Sequence, residues 1–186
     1  MKKLIALFLL CLTAQAFALE VAGVKLDDKV QVGNTTLQLN GAGIRTKLFF
    51  KVYVGALYLG EKKHSATAVL TDEGAKRVTL HMLRELSSEK LLEAFEKGMA
   101  ANNTSAELAA LDARIKEFSA IFRTLNEVVK GDVITLDYFP EEGTRIGVNG
   151  TEKGRVAGAA FNRVLLKVWL GDVPVDEGLK KGLLGG

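Results

Sequence analysis

Leu48-Phe49-Phe50-Lys51-Val52-Tyr53-Val54-Gly55-Ala56-Leu57-Tyr58-Leu59-Gly60 is the stretch on which the fold turns. Taken two residues at a time, it puts Leu48, Phe50, Val52, Val54, Ala56 and Tyr58 on one face with no polar interruption. A period of two over this length predicts a strand, because successive side chains of an extended chain point to opposite sides. The unbroken face is expected to be core. The other face carries Phe49, Lys51, Tyr53, Gly55 and Leu57, a mixture that suits either solvent or the wall of a cavity.

Upstream, the pattern predicts strands over Val21 to Leu26, Val30 to Val32 and Thr35 to Arg45, with Gly33-Asn34 as a turn. Downstream, Arg77 to Leu86 reads as a further strand with Val78, Leu80 and Met82 on one side. Two helices follow. Ser87 is placed to cap the first, in which Leu91, Leu92, Phe95 and Met99 recur at helical spacing. Thr104 and Glu107 form a capping box for the second, whose stripe runs Leu108, Leu111, Ile115, Phe118, Phe122 and Leu125. A hairpin over Val133 to Phe139 and Thr144 to Val148 and a helix from about Ala157 to Leu170 complete the order. Strands, a helix pair, a hairpin and a helix indicate α+β, with helices layered on a mostly antiparallel sheet.

The chain has 186 residues, 48% hydrophobic and 25% charged, a globular composition of one-domain size that excludes disorder and collagen. Met1-Lys2-Lys3, an apolar run from Leu4 to Leu12 and the small residues Ala16 and Ala18 read as a secretory signal peptide, residues 1–18. The run is about half of the roughly 20 residues a spanning helix needs. Residues 19–186 then form one domain, periplasmic or secreted. Cys11, the single cysteine, lies in the signal, so a disulfide, a zinc-thiolate site and a thiol nucleophile are all excluded from the mature domain. Without Lys2 and Lys3 the balance is 23 basic against 22 acidic side chains, which steers neither nucleic acid nor an anionic membrane surface by net charge.

Chemistry-bearing motifs are mostly missing. His64 and His81 have no partner at ligand spacing, so no metal site is expected. No serine lies in a G-x-S-x-G elbow. Gly41-Ala42-Gly43 lacks the third glycine of a dinucleotide cradle and does not open a helix, which leaves a bend or bulge in the sheet as its role. Asp27-Asp28 and Glu141-Glu142 read as turn carboxylates.

One pair stands out. Arg45 and Tyr53 share strand parity and fall on the mixed face. A guanidinium is a fixed fork of donors that suits a carboxylate, and a phenol can donate to the same oxygen. A solvated Arg and a half-buried strand Tyr account for the same pattern. Eight residues of flat strand span roughly 26 Å, so the two meet only if the chain bends between them, at Gly41 and Gly43 or around Thr46-Lys47.

The run Leu39-Asn40-Gly41-Ala42-Gly43-Ile44-Arg45-Thr46-Lys47, followed by Lys51-Val52-Tyr53-Val54-Gly55-Ala56-Leu57-Tyr58-Leu59, resembles the signature of the chalcone isomerase-like family in its bacterial exported branch. Ala159-Phe161-Asn162 leading into Val168-Trp169-Leu170-Gly171-Asp172-Val173-Pro174 is similar to the ending of that branch. The resemblance implies an open-faced β-sandwich, a curved antiparallel sheet covered on one side by helices, with a ligand cleft between the layers. The family contains enzymes that cyclise chalcones and non-catalytic relatives that bind fatty acids. Of the residues the enzymes use, only the orienting Arg carries over, as Arg45. The strand Thr falls at Tyr53, and Thr104 to Leu125 contains neither the Tyr nor the Asn of the enzymes' helix.

The fatty-acid-binding relatives hold a carboxylate with an Arg in the glycine-rich strand and a Tyr in a Lys-Val-Tyr run, and Arg45 and Tyr53 match both. The resemblance therefore implies a non-catalytic periplasmic protein that binds a fatty acid or similar apolar carboxylate through Arg45 and Tyr53, with no cofactor. Leu57, Phe95, Met99, Phe118 and Phe122 are candidates for the apolar lining and equally for core. Two alternatives stay open: an isomerase acting on a chalcone-like or other conjugated ketone, and an envelope protein with no small-molecule ligand, whose mark is a cleft filled by its own side chains.

Overall fold

The computed structural model describes residues 19–186, so the signal reading of Met1 to Ala18 lies outside the described residues. From Leu19 the chain forms a small hairpin of β1 (Leu19–Val21) and β2 (Val24–Leu26) in place of the single strand expected there. The reversal follows from Ala22 and Gly23, both at positive φ (50° and 80°), the backbone of a tight two-residue hairpin turn. Next come β3 (Lys29–Val32), β4 (Thr35–Lys47) and β5 (Phe50–Leu59), then a short α1 (Ala66–Leu70) capped by Ser65, and β6 (Lys76–Met82).

A two-residue β7 (Leu86–Ser87) leads into α2 (Ser88–Asn102). The Ser87 side chain accepts from the Lys90 amide, as its position before the helix predicts. The Thr104 and Glu107 capping box is present as well. The helix it starts is broken, however, into α3 (Ser105–Ala110) and α4 (Asp112–Arg123), because Leu111 leaves helical geometry (φ −112°, ψ 11°). After β8 (Glu127–Val128), which pairs with β7, come β9 (Val133–Phe139), β10 (Gly143–Val148), β11 (Thr151–Val156), α5 (Ala159–Leu170) and α6 (Glu177–Leu183).

Among the described residues, seven strands join into one curled antiparallel sheet in the order β11-β10-β9-β6-β5-β4-β3. The α+β class and the helix-covered antiparallel sheet are therefore as expected. The two faces of β5 divide differently from the sequence reading. Tyr53, Leu57 and Leu59, from the mixed face, pack in the main core beneath the helices with Phe95, Met99, Phe118, Phe122, Phe161 and Trp169. From the unbroken face, Val54, Ala56 and Tyr58 form a smaller cluster on the other side with Leu26, Val32, Leu37 and Leu39, whereas Val52 packs with the main core. Both faces are buried because the β1–β2 hairpin contributes Val21, Val24 and Leu26 to that second cluster. Leu48 and Phe50 belong to neither core: at the end of the β4–β5 hairpin they are 85% and 47% exposed.

Candidate functional site

Arg45 and Tyr53 are direct partners in the β4–β5 ladder. The chain reverses at Leu48 and Phe49 between the two strands, with Leu48 at φ 58°, and the register slips by one residue between Arg45 and Thr46. The distance that a flat strand would impose is removed by this antiparallel return and not by a bend at the glycines. A second slip, between Leu39 and Gly41, is the bulge that the Gly41-Ala42-Gly43 run suggests.

Those glycines have a further role. Gly41, Gly43 and Arg45 share the helix-side face of β4, and α6 lies directly on it. A Cβ on Gly41 would collide with the Gly182 carbonyl, and one on Gly43 would stand 3.1 Å from the Leu179 Cα. Asp176 caps α6, accepting from the Leu179 amide at 2.8 Å, and its other oxygen accepts from the Thr46 amide at 2.9 Å. The Asp176 carboxylate thus ties the helix start to the bulge beside Arg45 and has both oxygens engaged by backbone.

Arg45 is 9% exposed, and its guanidinium carbon lies 5.6 Å from the centroid of the Tyr53 ring, a cation–π contact. Among the described residues Arg45 makes no ion pair, and its buried Nε has no hydrogen-bond partner. Tyr53 is 2% exposed, and its hydroxyl accepts from Trp169 Nε1 at 2.9 Å. Burial pushes the Tyr53 phenol up to about 12, partly opposed by the Arg45 charge and the Trp169 hydrogen bond. The phenol is therefore protonated at neutral pH, and its own hydrogen is free to be donated. The arrangement is a nearly buried cation against the ring of a buried phenol, and the cation suits an anion better than any neutral group.

Two depressions meet at Arg45. One, of about 370 Å³, is walled by Leu48, Phe50, Val52, Leu86 and Ala94, with Lys47, Arg84, Lys90, Glu85 and Glu127 among its polar groups. The other, of about 390 Å³, runs between Lys90, Ala94, Gly98 and the segment Val173 to Val175. Of the expected site residues Arg45 alone borders them; Tyr53, Leu57, Phe95, Met99, Phe118 and Phe122 border neither. Each is at most 2% exposed, and Phe95 packs edge-on against Phe118, Phe122 and Trp169 at centroid distances of 5.2–5.6 Å. The sequence singles out Arg45 and Tyr53 but not Trp169, which bonds the Tyr53 hydroxyl, or Asp176, which bonds the Thr46 amide next to Arg45. Trp169 sits in a quoted motif, but nothing in its spacing says which hydroxyl its N–H reaches.

No group of His, Cys, Asp and Glu side chains able to hold a metal ion occurs among the described residues, and no helix there is long and apolar enough to cross a membrane.

A family model described as chalcone isomerase-like matches residues 18–185. No curated protein matches the sequence. Among solved structures, the chain is similar to a fatty-acid binding protein of Arabidopsis thaliana, at 16% sequence identity and a TM-score of 0.64, over 87% of this chain and 92% of that one.

Proposed function

The chain belongs to the chalcone isomerase-like family, and on that premise we propose that it is an exported, non-catalytic binding protein for a fatty acid or similar apolar carboxylate. The observation that carries the reading is Arg45: 9% exposed, with a buried Nε lacking any partner among the described residues, and stacked on Tyr53. A mostly buried guanidinium whose Nε has no partner is costly, and a ligand carboxylate at the depressions it borders would relieve that cost through charge-assisted hydrogen bonds. The depression walled by Leu48, Phe50, Val52, Leu86 and Ala94 begins at the same residue, and its volume of about 370 Å³ falls within the range of ligand pockets. The likeness to a plant fatty-acid binding protein supports the same reading. In this arrangement the carboxylate meets Arg45, the tail lies along the apolar wall, and Tyr53, which borders neither depression, supports the Arg45 guanidinium with its ring.

A second reading has its own observation. Phe95, Met99, Phe118, Phe122 and Trp169 close the space between helices and sheet, which is the mark set for an envelope protein without a small-molecule ligand. Two measurements separate the readings. Protein extracted natively from its host should carry near-stoichiometric free fatty acid in mass spectrometry, and calorimetric titration should show a saturated acid binding well above its methyl ester. Protein that comes out empty and gives no heat with either compound supports the closed-core reading. Export is tested separately by the N-terminus of protein in the envelope fraction, expected at or near Leu19.

A further inference from the structure

Leu48, Phe49 and Phe50 form an exposed apolar tip on the β4–β5 hairpin, 85%, 79% and 47% exposed, with the two phenyl rings 4.4 Å apart. Among the described residues the other large exposed apolar side chains are Leu19, Val129 and Val173; none adjoins the tip in sequence, and Val173 borders the second depression at Arg45. The tip contributes nothing to either core. Leu48 moreover stands at φ 58°, where a β-turn ordinarily places Asn or Gly and a leucine is strained. Three large apolar side chains outside both cores, two of them mostly exposed and one strained, indicate an occupant outside the chain.

The charges around the tip say which. Lys47 and Lys51 flank it in sequence, and the Arg84 guanidinium lies 4.7 Å from the centroid of the Phe50 ring. Lys47, Lys51, Arg84 and Lys90 are all exposed. Glu85 and Glu127 border the same depression and offset part of this charge. An apolar, aromatic end ringed by cations matches an anionic lipid surface, whose headgroups meet the basic side chains while the rings enter the acyl boundary.

We infer that the Leu48-Phe49-Phe50 tip, with Lys47, Lys51 and Arg84, seats the protein on an anionic phospholipid surface and brings the mouth of the Arg45 depression onto the bilayer. Leu48 and Phe50 line that depression, so the side chains that touch lipid are the ones an incoming acyl chain would pass. This last point rests on the fatty-acid reading; membrane contact does not.

The test is co-sedimentation of the chain from Leu19 onward, which carries the whole described fold, with vesicles of phosphatidylcholine containing 30 mol% phosphatidylglycerol and with pure phosphatidylcholine. Phe49 and Lys51 border neither depression at Arg45, so Phe49→Asp and Lys51→Glu report on the tip alone. Wild type should bind the anionic vesicles in preference. Phe49→Asp should weaken that binding roughly tenfold or more. Lys51→Glu reverses one charge and should weaken it by about 30-fold at low salt.

Thermal melting establishes that both variants fold. Calorimetry with palmitate is run in parallel: if palmitate gives no heat while vesicle binding and its loss in the variants hold, membrane contact stands and the ligand reading falls. Absence of binding to anionic vesicles, equal binding to pure phosphatidylcholine, or unweakened binding by both folded variants overturns the inference. So does a vesicle-free dimer that Phe49→Asp converts to monomer, which would assign the tip to a second copy of the chain.

Discussion

Trp169 donates its indole N–H to the hydroxyl of Tyr53 at 2.9 Å, in a place where both residues are at most 2% exposed. This bond joins α5 to β5 and leaves the phenol's own hydrogen without an acceptor among the described residues. Its two ends are not equivalent. Tyr53→Phe strands a buried N–H donor and should destabilise the fold by about 1–3 kcal/mol. Trp169→Phe leaves a hydroxyl that can still donate, and its cost comes mainly from lost packing. Denaturant unfolding of Tyr53→Phe checks the first value; wild-type stability would show that the indole finds another acceptor.

Arg45 should behave oppositely for stability and for binding. Without ligand it is mostly buried with an unpaired Nε, so Arg45→Met should leave the free protein as stable as wild type or stabilise it by about 1 kcal/mol. Against a fatty acid, Arg45→Ala should cost about 2–5 kcal/mol, a weakening of roughly 30-fold to several thousand-fold. Arg45→Lys should recover little, because an ammonium is a point donor and cannot reproduce the fork. Unfolding curves and calorimetric titration of the same preparations measure the two effects. Unchanged affinity in a folded Arg45→Ala removes Arg45 as the anchor.

Gly41→Ala should be more damaging than its one added methyl group suggests. The new Cβ would meet the Gly182 carbonyl, the Gly185 amide nitrogen at 2.8 Å and the Leu183 carbonyl at 2.9 Å, all backbone atoms that cannot rotate away. Over-packing of this kind costs about 1–3 kcal/mol, more when backbone must move. Release of α6 should make the C-terminal segment sensitive to limited proteolysis, and protease resistance equal to wild type would count against the close approach.

The protein should not accelerate ring closure of a hydroxychalcone. On the family resemblance the enzymes' strand Thr falls at Tyr53, which is bonded to Trp169, and the segment from Thr104 to Leu125 has neither Tyr nor Asn. Loss of one such hydrogen-bonding group commonly costs about a hundredfold in rate. Absorbance of the chalcone is followed with and without protein, and turnover near one per second, the low end of ordinary enzymes, would assign an isomerase.

What the sequence made legible follows from where single residues carry the signal. Ser87, and Thr104 with Glu107, announce helix starts because a cap is a local hydrogen bond. The period of β5 was equally plain, but not which face met the helices, since a strand buried on both sides gives periodicity no reason to prefer one. The meeting of Arg45 and Tyr53 was readable only as shared parity. The turn that joins them is Leu48-Phe49, a dipeptide with no turn chemistry, whose residues are better understood from what lies outside the chain. Helix α6 left no periodic trace, because in seven residues it carries Gly178 and Gly182 and buries only Leu179 and Leu183. Its position is written instead in Gly41 and Gly43, glycines that suggest a bend until the helix lying on them is seen.

The three tyrosines report on the fold at high pH. Burial is the largest cause raising each of them: Tyr53 and Tyr58 both reach about 12, and Tyr138 is raised as well. An acid whose folded pKa lies above its unfolded value of about 10 holds its proton longer in the native state. Between about pH 10 and 12 the unfolded chain therefore binds fewer protons, and stability falls as pH rises. The contribution is fully present below pH 10 and is lost on passing 12. Absorbance at 295 nm should consequently show little phenolate from Tyr53 and Tyr58 while the chain is folded, and their signal should rise together with the loss of far-UV circular dichroism. A phenolate signal from Tyr53 at pH 10 in folded protein, identified by its absence in Tyr53→Phe, would mean that water reaches the hydroxyl beside Arg45 and that the site is open in the free protein.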